Sequence, residues 1–144
     1  MKQHSAADAQ TIADALRQRR LRVTGPRRAI LDYLIRHHGP FSADELHARL
    51  RNRRIDRVTV YRTLARMEQA GLVRRCDFGD DKWRYEFAAE PEHHHHHIIC
   101  KRCRRVETLD ACVPATLIEL VAGRGYTDIT HSLEFFGVCK TCRD

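Results

Sequence analysis

At 144 residues, with 42% hydrophobic, 7% aromatic and 31% charged side chains, the chain has the length of one domain or two small ones with small cores. No apolar run approaches the ~20 residues needed to cross a bilayer, and residues 1–5 lack a signal-peptide stretch. A membrane partner is therefore excluded from the reading and a cytoplasmic location expected, where paired cysteines more often hold metal than form disulfides. The net charge of +7 is uneven: residues 1–75 hold 17 Lys and Arg against 7 Asp and Glu, and residues 76–144 hold 9 against 12. That asymmetry suits nucleic acid at one end, although a basic solvated surface has the same composition.

Residues 6–20 read as a helix with Ile12, Ala15 and Leu16 on one face, followed by a basic cluster of Arg17, Arg19, Arg20 and Arg22. A second helix starts after Thr24, a residue able to cap it, with Pro26 tolerated in the first turn. Its apolar stripe is Ile30, Leu31, Leu34 and Ile35. Ser42 and Glu45 stand at capping-box spacing before a third helix that turns Leu46 and Leu50 inward. Asp56 caps a fourth helix running to about Ala70, and Gly71 supplies its left-handed stop. Val60, Leu64 and Met67 form the buried stripe of that helix, while Val58, Tyr61, Arg62 and Ala65 fall outside it. This basic and aromatic outer face suits the major groove, or is simply solvated. Residues 72–76 and 83–87 read as two strands joined by a hairpin turn at 78–81. Short helices followed directly by a hairpin are the order of a winged helix-turn-helix, which favours DNA as the partner.

Residues 88–92 form a polar hinge. The expected organisation is a DNA-binding domain over 1–87 and a metal-binding dimerisation domain over 93–144, an α+β chain with a small α/β second domain. The run His93, His94, His95, His96 and His97 extends into a strand, where alternate side chains face opposite ways. One run could thus serve two metal sites, with His95 and His97 on one face and His94 and His96 on the other. Residues 106–109 and 129–138 read as strands, the latter carrying His131, and residues 114–124 as a helix with Leu117, Ile118 and Val121 inward. Cys100 with Cys103 and Cys139 with Cys142 form two Cys-x-x-Cys knuckles. Four thiolates so spaced suit a closed tetrahedral zinc; the alternative is a redox disulfide. Cys76 and Cys112 belong to neither knuckle and read as buried thiols. A three-stranded sheet with one helix is too small to stand alone and points to a homodimer. A zinc hydrolase or thiol oxidoreductase is disfavoured, because a zinc closed by four cysteines has no open position and no nucleophile–base pair is evident. No small-molecule substrate is expected.

In combination, several stretches resemble the ferric uptake regulator (Fur) family of bacterial metalloregulators over about residues 12–142. They are Arg-Val-Thr-Gly-Pro-Arg at 22–27, Thr-Val-Tyr-Arg-Thr-Leu at 59–64, the run at 93–103, His-Ser-Leu at 131–133 and the terminal knuckle. The resemblance implies a dimeric, metal-dependent repressor of metal-uptake or oxidative-stress genes that binds a double-stranded operator. By position, Cys100, Cys103, Cys139 and Cys142 look like the family's structural zinc site. Glu86, with His95 and His97, resembles the regulatory site, whose ion would be Zn2+, Fe2+ or Mn2+. His94, His96 and His131 resemble a further site in the dimerisation domain. Tyr61 and Arg62 resemble the DNA-reading pair, and Arg22 the residue that reaches the minor groove. An alternative within the family is a peroxide sensor, in which bound iron oxidises a ligand histidine.

The chain departs from the family pattern at several ligand positions. Pro40 stands where the family often has a histidine, with His37 and His38 just before it as substitutes and Cys76 as another candidate. Thr108 stands at an acidic position, beside Glu107 and near Asp110. The family's glutamate early in the helix falls near Pro114 or Ala115, and Glu119, one turn later, is the candidate to join His94, His96 and His131 in the further site. His96 replaces an aspartate of iron-type members, whereas an all-histidine run occurs in zinc-type ones.

Overall fold

A computed structural model describes residues 9–37, 39–88 and 96–143. The chain divides into two compact units, Met1–Glu92 and His93–Asp144.

The first unit is built from α1 (Ala9–Gln18), α2 (Gly25–His37), β1 (Phe41–Ser42), α3 (Ala43–Arg49), α4 (Arg57–Gln69), β2 (Val73–Asp77) and β3 (Trp83–Phe87). The apolar stripes of all four helices meet: Leu16, Ile30, Leu31, Leu46, Val60, Leu64 and Met67 are fully buried in one cluster. Each such side chain contributes about 1.5–3 kcal/mol by leaving water. Helix starts follow the local chemistry. Ser42 Oγ accepts from the Glu45 backbone N–H at 3.2 Å, and Glu45 Oε2 accepts from the Ser42 N–H at 2.7 Å. Asp56 Oδ1 accepts from the Thr59 N–H at 2.9 Å and its Oδ2 from the Thr59 hydroxyl at 2.6 Å. Gly71, at φ 69°, ends α4 in the left-handed region. Arg19 Nη1 donates to the adjacent Ala70 carbonyl at 3.2 Å, joining α1 to that end.

The sheet of this unit has the order β1-β3-β2 with antiparallel neighbours. The short β1, which was not expected, sets Phe41 opposite Tyr85. At the hairpin tip Phe78 is buried, and Arg84 donates to both oxygens of Asp80 at 2.7 Å. Helix, turn, helix and hairpin in this order form a winged helix-turn-helix.

The second unit holds β4 (His96–Cys100), β5 (Val106–Leu109), α5 (Ala115–Ala122) and β6 (Glu134–Gly137). Strand β4 is central, antiparallel to β5 and parallel to β6. Two expectations are corrected here. The third strand is shorter than 129–138, and His131 lies in the irregular segment before it; Asp128, at φ 54°, interrupts extended backbone just upstream. Leu117 is not inward: it is 48% exposed, and α5 buries none of its residues, while Phe135 and Phe136 of β6 are exposed as well, so apolar side chains of helix and sheet alike remain open to solvent within the unit.

Candidate metal centres and nucleic-acid interface

The outer face of α4 projects from a helix held by Val60, Leu64 and Met67. Tyr61 is 45% exposed and Arg62 and Arg66 are exposed. The Tyr61 hydroxyl donates to Asp44 Oδ1 at 3.4 Å, and Arg57 lies over the Tyr61 ring at 5.7 Å while pairing with Asp44 at 2.7 Å. This fixes the ring's lean along the helix. Arg62 and Arg66 line an open groove with Arg27 and Thr24 from the start of α2. Arg22 is exposed, and its carbonyl accepts from Arg27 Nη1 at 2.8 Å.

The four knuckle cysteines converge in the second unit, their sulfurs all within 4.8 Å of one another. The first knuckle turns tightly after β4: the Arg104 N–H donates to the Cys100 carbonyl at 2.9 Å, with Arg104 at φ 63°. The second is a single 3-10 turn, Lys140–Cys142, and Arg102 donates to the Cys142 carbonyl between them. Cys103 and Cys139 sulfurs stand 3.7 Å apart, against about 2.05 Å for a disulfide. With metal–sulfur bonds of about 2.3 Å, the edge of a tetrahedron is about 3.8 Å, so the separation suits a shared cation. The donor set also behaves as a cation site should. Backbone N–H groups of Cys139 and Cys103 aim at Cys100 Sγ at 3.4 and 3.5 Å and lower its thiol to about 5. Hydrogen bonding to Cys139 and Cys103 pushes Cys142 up to about 12. Clustered thiols cannot all ionise beside one another until a positive charge neutralises them.

A second cluster joins His96, Cys112 and His131. His96 Nε2 lies 3.3 Å from His131 Nε2 and 3.5 Å from Cys112 Sγ, and Cys112 Sγ lies 3.2 Å from His131 Nε2. His96 is 2% exposed. Glu119 is not in this group: it is exposed on α5, one turn beyond the helix start. Cys112, expected to be a buried thiol, is exposed and takes the place beside the two histidines. Nothing in its own spacing marks it; the only signal is that it falls just before the position of the missing glutamate.

Of the remaining candidates, Glu86 is buried on β3, in register with Arg74 on β2, and the two form an ion pair. Cys76 is buried on β2 opposite Arg84. His97 lies on β4, in register with Thr108 and Glu134. His38, His94 and His95 lie outside the described residues.

A winged helix with a basic reading face, joined to a unit that gathers thiols and imidazoles, defines a metal-responsive regulator of transcription. The profile of the Ferric uptake regulator family matches residues 18–136. The peroxide-responsive repressor PerR of Staphylococcus aureus strain Mu50 is 34% identical over 133 residues, 90% of this chain and 88% of that protein. Among solved structures, the Vibrio cholerae ferric uptake regulator is 33% identical with a TM-score of 0.75, over 88% of this chain and 98% of that one. The Francisella tularensis regulator, solved with iron, is 29% identical with a TM-score of 0.72, over 86% and 96%. The chain belongs to the ferric uptake regulator family, and its fold is the α+β arrangement of that family.

Proposed function

We propose that the protein is a cytoplasmic, homodimeric, metal-dependent repressor that binds a double-stranded DNA operator and has no enzymatic activity. The observation that carries this reading is the exposed Tyr61–Arg62 face of α4, set on a buried stripe within a helix-turn-helix. Arginine there reads guanine, an aromatic ring can touch the thymine methyl, and the flanking arginines hold phosphates. Dimerisation is supported by the unburied apolar residues of the second unit: Leu117, Leu120, Phe135 and Phe136 are 44–57% exposed. A two-fold dimer then presents two reading helices to two half-sites.

Cys100, Cys103, Cys139 and Cys142 would hold a structural zinc, which when bound neutralises the thiolates and ties the two knuckles together. For the exchangeable ion, the family resemblance supports Glu86 from the first unit and His95 and His97 from the second, with His38 as a further donor. An ion shared in this way restricts the arrangements open to the dimer, and differential affinity for one arrangement shifts the population toward it. His94, His96 and His131 are assigned to the further site.

Selection from a randomised duplex library, with Zn2+, Mn2+, Fe2+ or chelator present, tests the proposal. Metal-dependent enrichment of a two-fold symmetric sequence is expected. No enrichment with any metal, or the same enrichment in chelator, sinks it.

The likeness to the S. aureus peroxide-responsive repressor supports a second reading, in which the regulatory site holds iron and is inactivated by peroxide. Peroxide should then abolish DNA binding of the Fe2+ form and spare the Mn2+ form. Equal survival of both forms rejects it.

A further inference from the structure

The segment that leaves β5 and the segment that leads into β6 both close on the same end of β4. Register sets Leu109 opposite His96, so Cys112, three residues on, returns to His96. On the other side Glu134 stands beside His97, so His131, three residues earlier, meets the same imidazole. Two independent chain connections therefore deliver a sulfur and a nitrogen to one buried histidine.

The distances between these atoms suit one metal ion. For metal–nitrogen bonds of about 2.05 Å and a metal–sulfur bond of about 2.3 Å, tetrahedral edges are about 3.3 Å between nitrogens and about 3.6 Å between nitrogen and sulfur. The observed separations are 3.3 Å for His96–His131, 3.5 Å for His96–Cys112 and 3.2 Å for Cys112–His131.

We propose that His96 Nε2, His131 Nε2 and the Cys112 thiolate form a single metal site selective for Zn2+ over Mn2+. This rests on the reading of the second unit as metal-binding and replaces the carboxylate Glu119 by a sulfur donor. On binding, the Cys112 S–H bond breaks, its proton leaves to solvent, and the sulfur lone pair forms the metal–sulfur bond; no electron is transferred. Both imidazoles bind as neutral rings through Nε2. A thiolate favours zinc and cobalt over the harder manganese, which prefers oxygen ligands. Three donors leave a fourth position for water. The site differs in kind from the four-thiol cluster, which has no open position.

The test uses the full, untagged chain with zinc retained in the four-cysteine cluster. Titration with Co2+ should give a near-ultraviolet sulfur-to-cobalt charge-transfer band and intense visible bands of a tetrahedral ion. In Cys112→Ser the charge-transfer band should vanish and Zn2+ affinity fall by about tenfold or more, while Mn2+ affinity changes little. Cys112→Asp should restore binding with the preference moved toward Mn2+. In the unmodified chain, Zn2+ should protect Cys112 from iodoacetamide, as read by mass spectrometry, whether or not the variants fold. An unchanged band in Cys112→Ser, or no protection by Zn2+, overturns the assignment of Cys112. If His96→Ala loses Co2+ in that same series, the histidine site stands without the sulfur. If the unmodified chain takes up no exchangeable metal, the metal-dependent reading falls with it.

Discussion

Arg74 and Glu86 stand in register on neighbouring strands of the wing, and the Arg74 guanidinium donates through Nε and Nη2 to Glu86 Oε1. The carboxylate proposed as a regulatory ligand is therefore held by a cation of its own unit. A second positive charge at Glu86 must compete with the first. Arg74→Gln should tighten the exchangeable metal by about three- to tenfold, since each tenfold is about 1.4 kcal/mol and the removed charge sits in direct contact. Glu86→Gln should weaken it by at least about tenfold. Competition against a chromophoric chelator measures both; a ligand role for Glu86 fails if Glu86→Gln binds like the unmodified chain.

The knuckles predict a stapled second unit. Cys100→Ser or Cys142→Ser should lose one tightly held zinc per chain by elemental analysis and lower cooperative unfolding of that unit, because binding free energy at such a site is folding free energy. Zinc retained in either variant would show that the four thiols do not act together.

On DNA, the residues of α4 and the arginine before α2 should separate by kind. Arg62→Ala should cost about 1–3 kcal/mol and relax base preference at one position of the selected site, whereas Arg22→Ala should weaken binding most where the flanking minor groove is narrow and A·T-rich, and lower the salt slope by about one. Fluorescence anisotropy across salt concentrations distinguishes them, and the opposite pattern would reassign the two.

Asp56 carries a pH signature. The Thr59 hydroxyl and backbone N–H hydrogen-bond its carboxylate and lower its pKa from the ordinary value. A depressed folded pKa means the stabilisation is present above the unfolded value of about 3.9 and is lost as pH falls through the folded one. The stability gap between the unmodified chain and Asp56→Ala should therefore be full at neutral pH and close in acid. Thermal melts between neutral and strongly acidic pH measure it, and a gap that ignores pH would place the effect in packing rather than capping.

The exposed apolar residues of α5 should report on assembly. Leu117→Lys with Leu120→Lys should shift the protein toward monomer in sedimentation, because two charges at a buried interface core oppose association. An unchanged dimer moves the interface away from α5.

Much of this molecule is legible in its sequence because the governing interactions are local. Ser42 with Glu45, Asp56 with Thr59, and Gly71 each satisfy backbone groups within a few residues, and the i, i+4, i+7 stripe of Val60, Leu64 and Met67 names its own buried face. The four knuckle cysteines are equally plain, since each pair is set by one turn. Where partners come from separate segments, spacing is silent. Arg74 meets Glu86 through strand register, and Cys112 reaches His96 and His131 because β5 and β6 flank β4. Glu119, a candidate by its place one turn after the family's glutamate, is exposed on α5. Helical and turn chemistry acts over one to four residues and is written in the chain; which distant donors share a site is decided by sheet order and register, which exist only once the strands have paired.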